Sequence, residues 1–225
     1  MNREHVLPAD IERASMAIIT KELSERGIEV PEERAAVVRR VIHTTADFDY
    51  AENLHFTESA VGKAVQKLAE GGAVIITDTN MALAGVSKPS LKKLRAEAFC
   101  FMAEPEIEKQ AKEQGMTRAA ASMEHGAAVY PEAVFAVGNA PTALLKLEEL
   151  IGKGLRPSLI IGVPVGFVNV VESKEQIFAV CEKYRIPAIV AFGRKGGSNV
   201  AAAIVNALLY TAADMLDPSQ RGWQG

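Results

Sequence analysis

Residues 134–166 read VFAVGNAPTALLKLEELIGKGLRPSLIIGVPVG, and this stretch decides the fold class. Two short apolar runs, AVFAVGN (133–139) and LIIGVPV (159–165), show little alternation of apolar and polar positions, as strands covered on both faces do. Between them, Pro141 falls in the first turn of a helix expected over 141–152, with Asn139 as its cap. Strand, helix and strand in succession form the unit of a parallel sheet wound with helices on both faces.

The same alternation extends outward. AVIITD (73–78), EAFCFM (97–102) and AIVAFGR (188–194) are further buried strands, giving five in all. Helices are expected at about 89–95, 105–128, 172–183 and 198–213. The chain before residue 73 is mostly helical. One helix is capped by Asp10 and ends near Gly27, with apolar positions at Ile11, Ala14, Met16, Ile18, Ile19 and Leu23. A second opens at Pro31-Glu32-Glu33 and runs toward His43; a third spans 58–69, capped by Thr57 and stopped by Gly71-Gly72. No repeat or linker divides the chain, so residues 1–225 read as one α/β domain with a helical part at about 8–70 and a tail at 214–225.

Composition narrows the function. With 48% hydrophobic and 24% charged residues the chain is ordinarily globular. A net charge of -3 supplies no general attraction to nucleic acid or to an anionic membrane. The N-terminus is charged and interrupted by Pro8, unlike a signal peptide, and the apolar C-terminal run is broken by Asn199 and Asn206. A cytoplasmic protein is expected. Cys100 and Cys181 have no C-x-x-C spacing and read as free thiols, and no metal-ligand framework is visible. His5, His55 and His125 read as surface or packing residues.

Ligands of a doubly wound sheet bind at the carboxyl ends of its strands. The segments there are Asp78-Thr79-Asn80-Met81, GNAPT (138–142), GVPVGF (162–167) and GRKGGSN (193–199). The last joins Arg194 and Lys195 to two glycines and to Ser198, a candidate helix cap, and could cradle a carboxylate or phosphate. Neither a Walker A loop nor G-x-G-x-x-G is present, so nucleotide binding has no specific support. Turn geometry and capping explain the same glycines without a ligand. GVPVGF leaves backbone amides and Phe167 free to face a flat apolar ligand.

RRVIHTTADFDY (39–50) carries a helix-period run into His43, surrounded by Thr44, Thr45, Asp47, Asp49 and Tyr50. A histidine there can simply end or pack a helix. The polar neighbourhood admits a second reading: an aspartate could set the ring's tautomer, and a helix C-terminus would favour the imidazolium, as suits a proton donor.

Taken together, VIHTTADFDY, TRAAAS, GNAPTALLKL, GVPVGFVNVVESKE and GRKGGSNVAAAIVNALL resemble the precorrin-8X methylmutase family, including cobalt-precorrin-8 methylmutases, over about residues 10–210. The resemblance implies a three-layer, flavodoxin-like, mostly parallel five-stranded sheet with extra N-terminal helices. It implies an isomerase of cobalamin biosynthesis that moves a methyl group from C-11 to C-12 of (cobalt-)precorrin-8, giving cobyrinic or hydrogenobyrinic acid. No cofactor is consumed, any cobalt belongs to the substrate, and a homodimer with its site near the interface is expected. His43 falls at the position of the family's catalytic histidine. Ser15, Ser87 and Arg118 match pocket positions.

A corrinoid is a broad apolar disc fringed with carboxylates, so Arg40, Arg118, Arg194, Lys195 and the Ser198 helix start suit its rim, and Met81 and Phe167 its face. Thr44 and Asn139 complete the candidate set, and no residue is assigned to a metal. The rival reading is a noncatalytic flavodoxin-like module that binds an anionic tetrapyrrole or another anionic ligand.

Overall fold

The computed structural model describes residues 7–221, so His5 lies outside the described residues. The strands are β1 (Leu54–Phe56), β2 (Val74–Thr77), β3 (Glu97–Phe99), β4 (Val134–Val137), β5 (Leu159–Gly162) and β6 (Ala188–Ala191). They form one six-stranded sheet in the order β1-β6-β5-β4-β2-β3. Strands β2 to β6 are mutually parallel and are the five that the sequence marks. Their order is that of a doubly wound sheet, and its switch point lies between β2 and β4.

The sixth strand corrects the expected count of five. β1 pairs antiparallel with β6, Leu54 opposite Ala191 and Phe56 opposite Ile189. Three residues are too few for any periodicity to show. Thr57 does not cap the next helix as expected; its hydroxyl donates to the Ile186 carbonyl and accepts from the Ala188 amide, tying β1 to β6.

Alternating strand residues feed two cores. Ile75, Val134, Ala136, Leu159, Ile161 and Ile189 face α1 (Pro8–Glu25), α2 (Glu32–Thr45), α4 (Ala60–Glu70), α5 (Asn80–Gly85), α6 (Lys88–Leu94) and α11 (Ser198–Ala212). Ile76, Phe135, Val137, Ile160, Ala188 and Val190 face α7 (Pro105–Gln114), α8 (Arg118–Val129), α9 (Pro141–Gly152) and α10 (Val170–Tyr184). A short α3 (Tyr50–Asn53) leads into β1, and a 3₁₀ turn at Pro218–Arg221 ends the described chain.

Several helix boundaries depart from the sequence reading. The single helix expected over 105–128 is two, because Gly115 turns the chain at φ 65° and the Thr117 side chain caps α8 by accepting from the Ala120 amide. Asp10 lies inside the first turn of α1 and pairs with Arg13 instead of capping. Ala140 takes the cap position of α9 and Gly197 that of α11, so neither Asn139 nor Ser198 is a side-chain cap. His55 stacks on Phe192 with ring centres 4.0 Å apart and His125 meets Phe101 edge-on, so both are packing residues. Both cysteines are free.

Two glycine-rich loops, after β5 and after β6, are packed into one unit. The Gly197 amide donates to the Val163 carbonyl at 2.8 Å and the Gly166 amide to the Arg194 carbonyl at 3.2 Å. A β-carbon at Gly196 would lie 2.1 Å from the Val163 carbonyl oxygen, closer than any contact permits. Gly196→Ala is therefore expected to destabilise the fold by about 1–3 kcal/mol through overpacking against backbone. A urea unfolding midpoint equal to that of the unsubstituted protein would contradict the loop packing described.

Candidate active site

At the switch point, where a ligand's anionic group is usually met, the chain places its own carboxylate. Asp78, directly after β2, is fully buried. It accepts from the backbone amides of Gly138 at 2.9 Å and of Asn139 and Ala140 at 2.8 Å each. Burial pushes its pKa up, and the three amide bonds work against that rise. The N-terminus of α9 is thus already satisfied. Asn139 contributes its amide to Asp78 and leaves only its exposed side chain for a ligand.

Around this plug the rim carries exposed groups. Phe167, after β5, is 82% exposed, and Met81 at the start of α5 is 72% exposed. The Arg194 guanidinium lies 5.4 Å from the centre of the Phe167 ring, so charge and flat apolar surface stand side by side. Arg118 opens α8, and among the described residues its one ion pair is a 3.9 Å contact with Glu108. The hydroxyls of Thr117 and Thr142, 2.8 Å apart, fasten that helix start to the first turn of α9. Two expected pocket serines are engaged elsewhere. Ser198 is buried with its hydroxyl 2.8 Å from that of Thr79. Ser87 caps α6, and its amide donates to Asn206.

His43 occupies a second place, between α1 and α2. Its Nδ1 lies 2.7 Å from the Ser15 hydroxyl, so a hydroxyl, and not an aspartate, is the ring's hydrogen-bond partner. If Ser15 donates, the proton of the neutral ring sits on Nε2, which has no protein partner among the described residues. Asp47 and Asp49 instead both accept from the Lys195 ammonium at 2.6 Å. That pair of bonds ties the end of α2 to the loop after β6, and it holds Asp47 below the usual carboxylate range. Thr44 is exposed and donates to the Arg40 carbonyl.

Beside the ring, Glu12 accepts from Arg40 at 2.5 Å and from Arg221 at 2.6 Å. Burial raises the pKa of Glu12, and the two guanidinium bonds outweigh that, so it stays ionised. Arg221 is itself 3.7 Å above the Tyr210 ring. A cavity of about 190 Å³ lies against His43, lined by Pro8, Ala9, Ile11, Glu12 and Pro218. Neither Glu12 nor Arg221 stands out in the sequence; Arg221 comes from the tail, 209 positions from Glu12. Among the described residues no three His, Cys, Asp or Glu side chains are placed to hold a metal ion.

The charge state of His43 differs from that expected of a helix C-terminus. Burial, then repulsion from Arg40 and Arg221, lower its pKa, and Glu12 offsets this only in part. The free protein therefore holds a neutral imidazole at pH 7. Following the His43 ring protons by NMR through a pH titration should give a midpoint below the ordinary 6.5. A midpoint above that value would contradict the arrangement of burial and guanidinium charge.

Comparison with known proteins supplies the family. The family model for precorrin-8X methylmutase matches residues 10–211. The cobalt-precorrin-8 methylmutase of Leptospira interrogans is 40% identical over 213 residues, covering 92% of this chain and 95% of that protein. That of Salmonella typhimurium is 44% identical, covering 78% and 80%. A solved precorrin-8X methyl mutase from Thermus thermophilus superposes with a TM-score of 0.80 at 36% identity, covering 91% of this chain and 98% of that one. A switch point sealed by Asp78 and a half-buried histidine beside arginines are thus set in a scaffold shared along almost the whole chain, which belongs to the precorrin-8X methylmutase family.

Proposed function

We propose that this methylmutase moves a methyl group from C-11 to C-12 of a precorrin-8-type ring, metal-free or carrying cobalt, with His43 as acid/base. The observation that carries this reading is the pairing of Ser15 with His43 Nδ1, which leaves Nε2 without a protein partner among the described residues. Through Nε2 the imidazole lends a proton to a ring nitrogen. The macrocycle becomes electron-poor, the methyl group migrates within the same molecule, and the proton returns to His43. Nothing is oxidised and no methyl donor is consumed, so no cofactor is needed. Cobalt, when present, arrives inside the substrate.

Electrostatics favour the proton's arrival with the substrate. Burial first, and then the nearby Arg40 and Arg221, favour the neutral form of His43 in the free site. A polycarboxylate resting on Arg118 and Arg194 adds negative charge nearby, which raises the imidazole's proton affinity when it is needed. Arg40 is already committed to Glu12, and it orders the helix pair that carries the histidine.

A second copy of the chain fits the size of the site. The cavity beside His43 is smaller than the roughly 300–1,000 Å³ that encloses a drug-sized ligand. Leu7, Ile11 and Ile18 share one exposed face of α1, and Leu216 is exposed as well. A homodimer sealed over this face would deepen the hollow around the ring. No helix of the described residues is long and apolar enough to cross a membrane, and we place the enzyme in the cytoplasm, where its free thiols persist.

His43→Ala is expected to lower turnover of precorrin-8X by at least about 100-fold, the usual contribution of general acid/base catalysis. The same variant should still bind the tetrapyrrole, seen as a saturable shift in its absorption spectrum. Near-normal turnover would remove His43 from the chemistry. Binding without turnover by the unsubstituted protein would favour a carrier.

A further inference from the structure

The loop that carries Arg194 and Lys195 is held from below by a lysine that belongs to no substrate contact. Lys174, on the first turns of α10, is completely buried. Its Nζ donates to the carbonyls of Gly193 and Lys195, each at 2.8 Å. No carboxylate pairs with it among the described residues, and burial alone lowers its pKa to about 8. It is therefore still mostly protonated at neutral pH, and both bonds are charge-assisted.

A buried ammonium without a counter-ion is unfavourable, and a leucine or methionine would fill the same space without that penalty. Hydrophobic packing does not explain its presence. What the ammonium supplies is direction: it draws in the two carbonyls on either side of Arg194. The Arg194 carbonyl is meanwhile taken by the Gly166 amide, and the Gly197 amide is bound to Val163. Two bonds from Lys174 and two to the loop that bears Phe167 thus hold the backbone of residues 193–197. The exposed guanidinium of Arg194 projects from a backbone with no freedom left.

We propose that Lys174 is a positioning residue for the methylmutase reaction, clamping the 193–197 loop so that Arg194 meets a carboxylate of the corrinoid substrate. The proposal rests on the reading of Arg194 as a substrate contact. Lys174 itself touches no substrate. Its action falls mainly on binding, because Ser15 aims the His43 ring, and the loop reaches the end of α2 only by the exposed bonds of Lys195 to Asp47 and Asp49 among the described residues.

Steady-state kinetics of Lys174→Met, Arg194→Ala and the double variant with precorrin-8X test both layers. Each single substitution should raise KM by about tenfold and leave kcat within about threefold, the signature of lost uniform binding. The double variant should be no worse than Arg194→Ala alone, because the clamp acts through that side chain. A lysine needed only for folding would lower the active fraction, and so apparent kcat, without moving KM. If Arg194→Ala leaves KM unchanged, Arg194 is not a substrate contact. If Arg194→Ala raises KM but Lys174→Met does not, or the two effects multiply, the clamp is refuted. Should Lys174→Met fail to fold, Lys174→Leu, which likewise has no donor, is read by the same criteria.

Discussion

The carboxylate of Asp78, turned inward beneath the N-terminus of α9, constrains where this protein can meet a ligand. A doubly wound sheet offers unpaired backbone amides at its switch point, and many proteins of this architecture place a phosphate or carboxylate there. Here the amides of Gly138, Asn139 and Ala140 are taken by a side chain of the chain itself. The hydroxyls of Thr79 and Ser198 close the same crevice. A bound molecule must rest above this plug, on side chains that reach outward, and a broad disc does so more readily than a compact phosphate.

The rim and the histidine are separate constructions joined by few contacts. Phe167, Arg194 and Met81 stand on loops and helix starts after the parallel strands, whereas His43 rides on α2, which packs against α1 and α11. Lys195 links them by reaching from the loop after β6 to Asp47 and Asp49. Its ion pairs are exposed, so their value lies in register more than in stability. Glu12, Arg40 and Arg221 perform the corresponding task on the other side of the ring and bring the C-terminal tail into the site. Burial and, after it, the Arg40 and Arg221 guanidinium groups lower the pKa of His43 in the free protein.

Much of this was legible in the residues. Buried strands announce themselves as unbroken Val, Ile and Phe runs, so β2 to β6 and their parallel direction follow from the sequence, whereas their order in the sheet comes from the structure. β1 does not, because Leu54–Phe56 is too short to show a period and owes its strand conformation to the free edge of β6. The turn at Gly115 was visible as a glycine but outweighed by the helical character on either side. Ser15 meets His43, and Arg40 pairs with Glu12 beside the ring; the resemblance implies pocket positions for Ser15 and His43, and Arg40 reads as a rim cation. Their partners were hidden for a physical reason: the pairing of Glu12 with Arg221 and of Lys174 with two carbonyls spans distances that local patterns do not encode. The cap positions of α1, α4, α9 and α11 lie one to three residues from those the sequence suggests, since a polar side chain near a helix start can equally serve a tertiary bond, as Thr57 and Ser198 do.

The central claim is spatial: one imidazole nitrogen faces a ring nitrogen of a disc lying above the plugged switch point. A crystal structure of the protein with hydrogenobyrinic acid, the product of the proposed shift, tests it most directly. The account predicts His43 Nε2 within about 2.6–3.2 Å of a ring nitrogen, the reach of proton transfer, with Arg118 and Arg194 on peripheral carboxylates. A macrocycle bound with no ring nitrogen within reach of His43 Nε2 would contradict it.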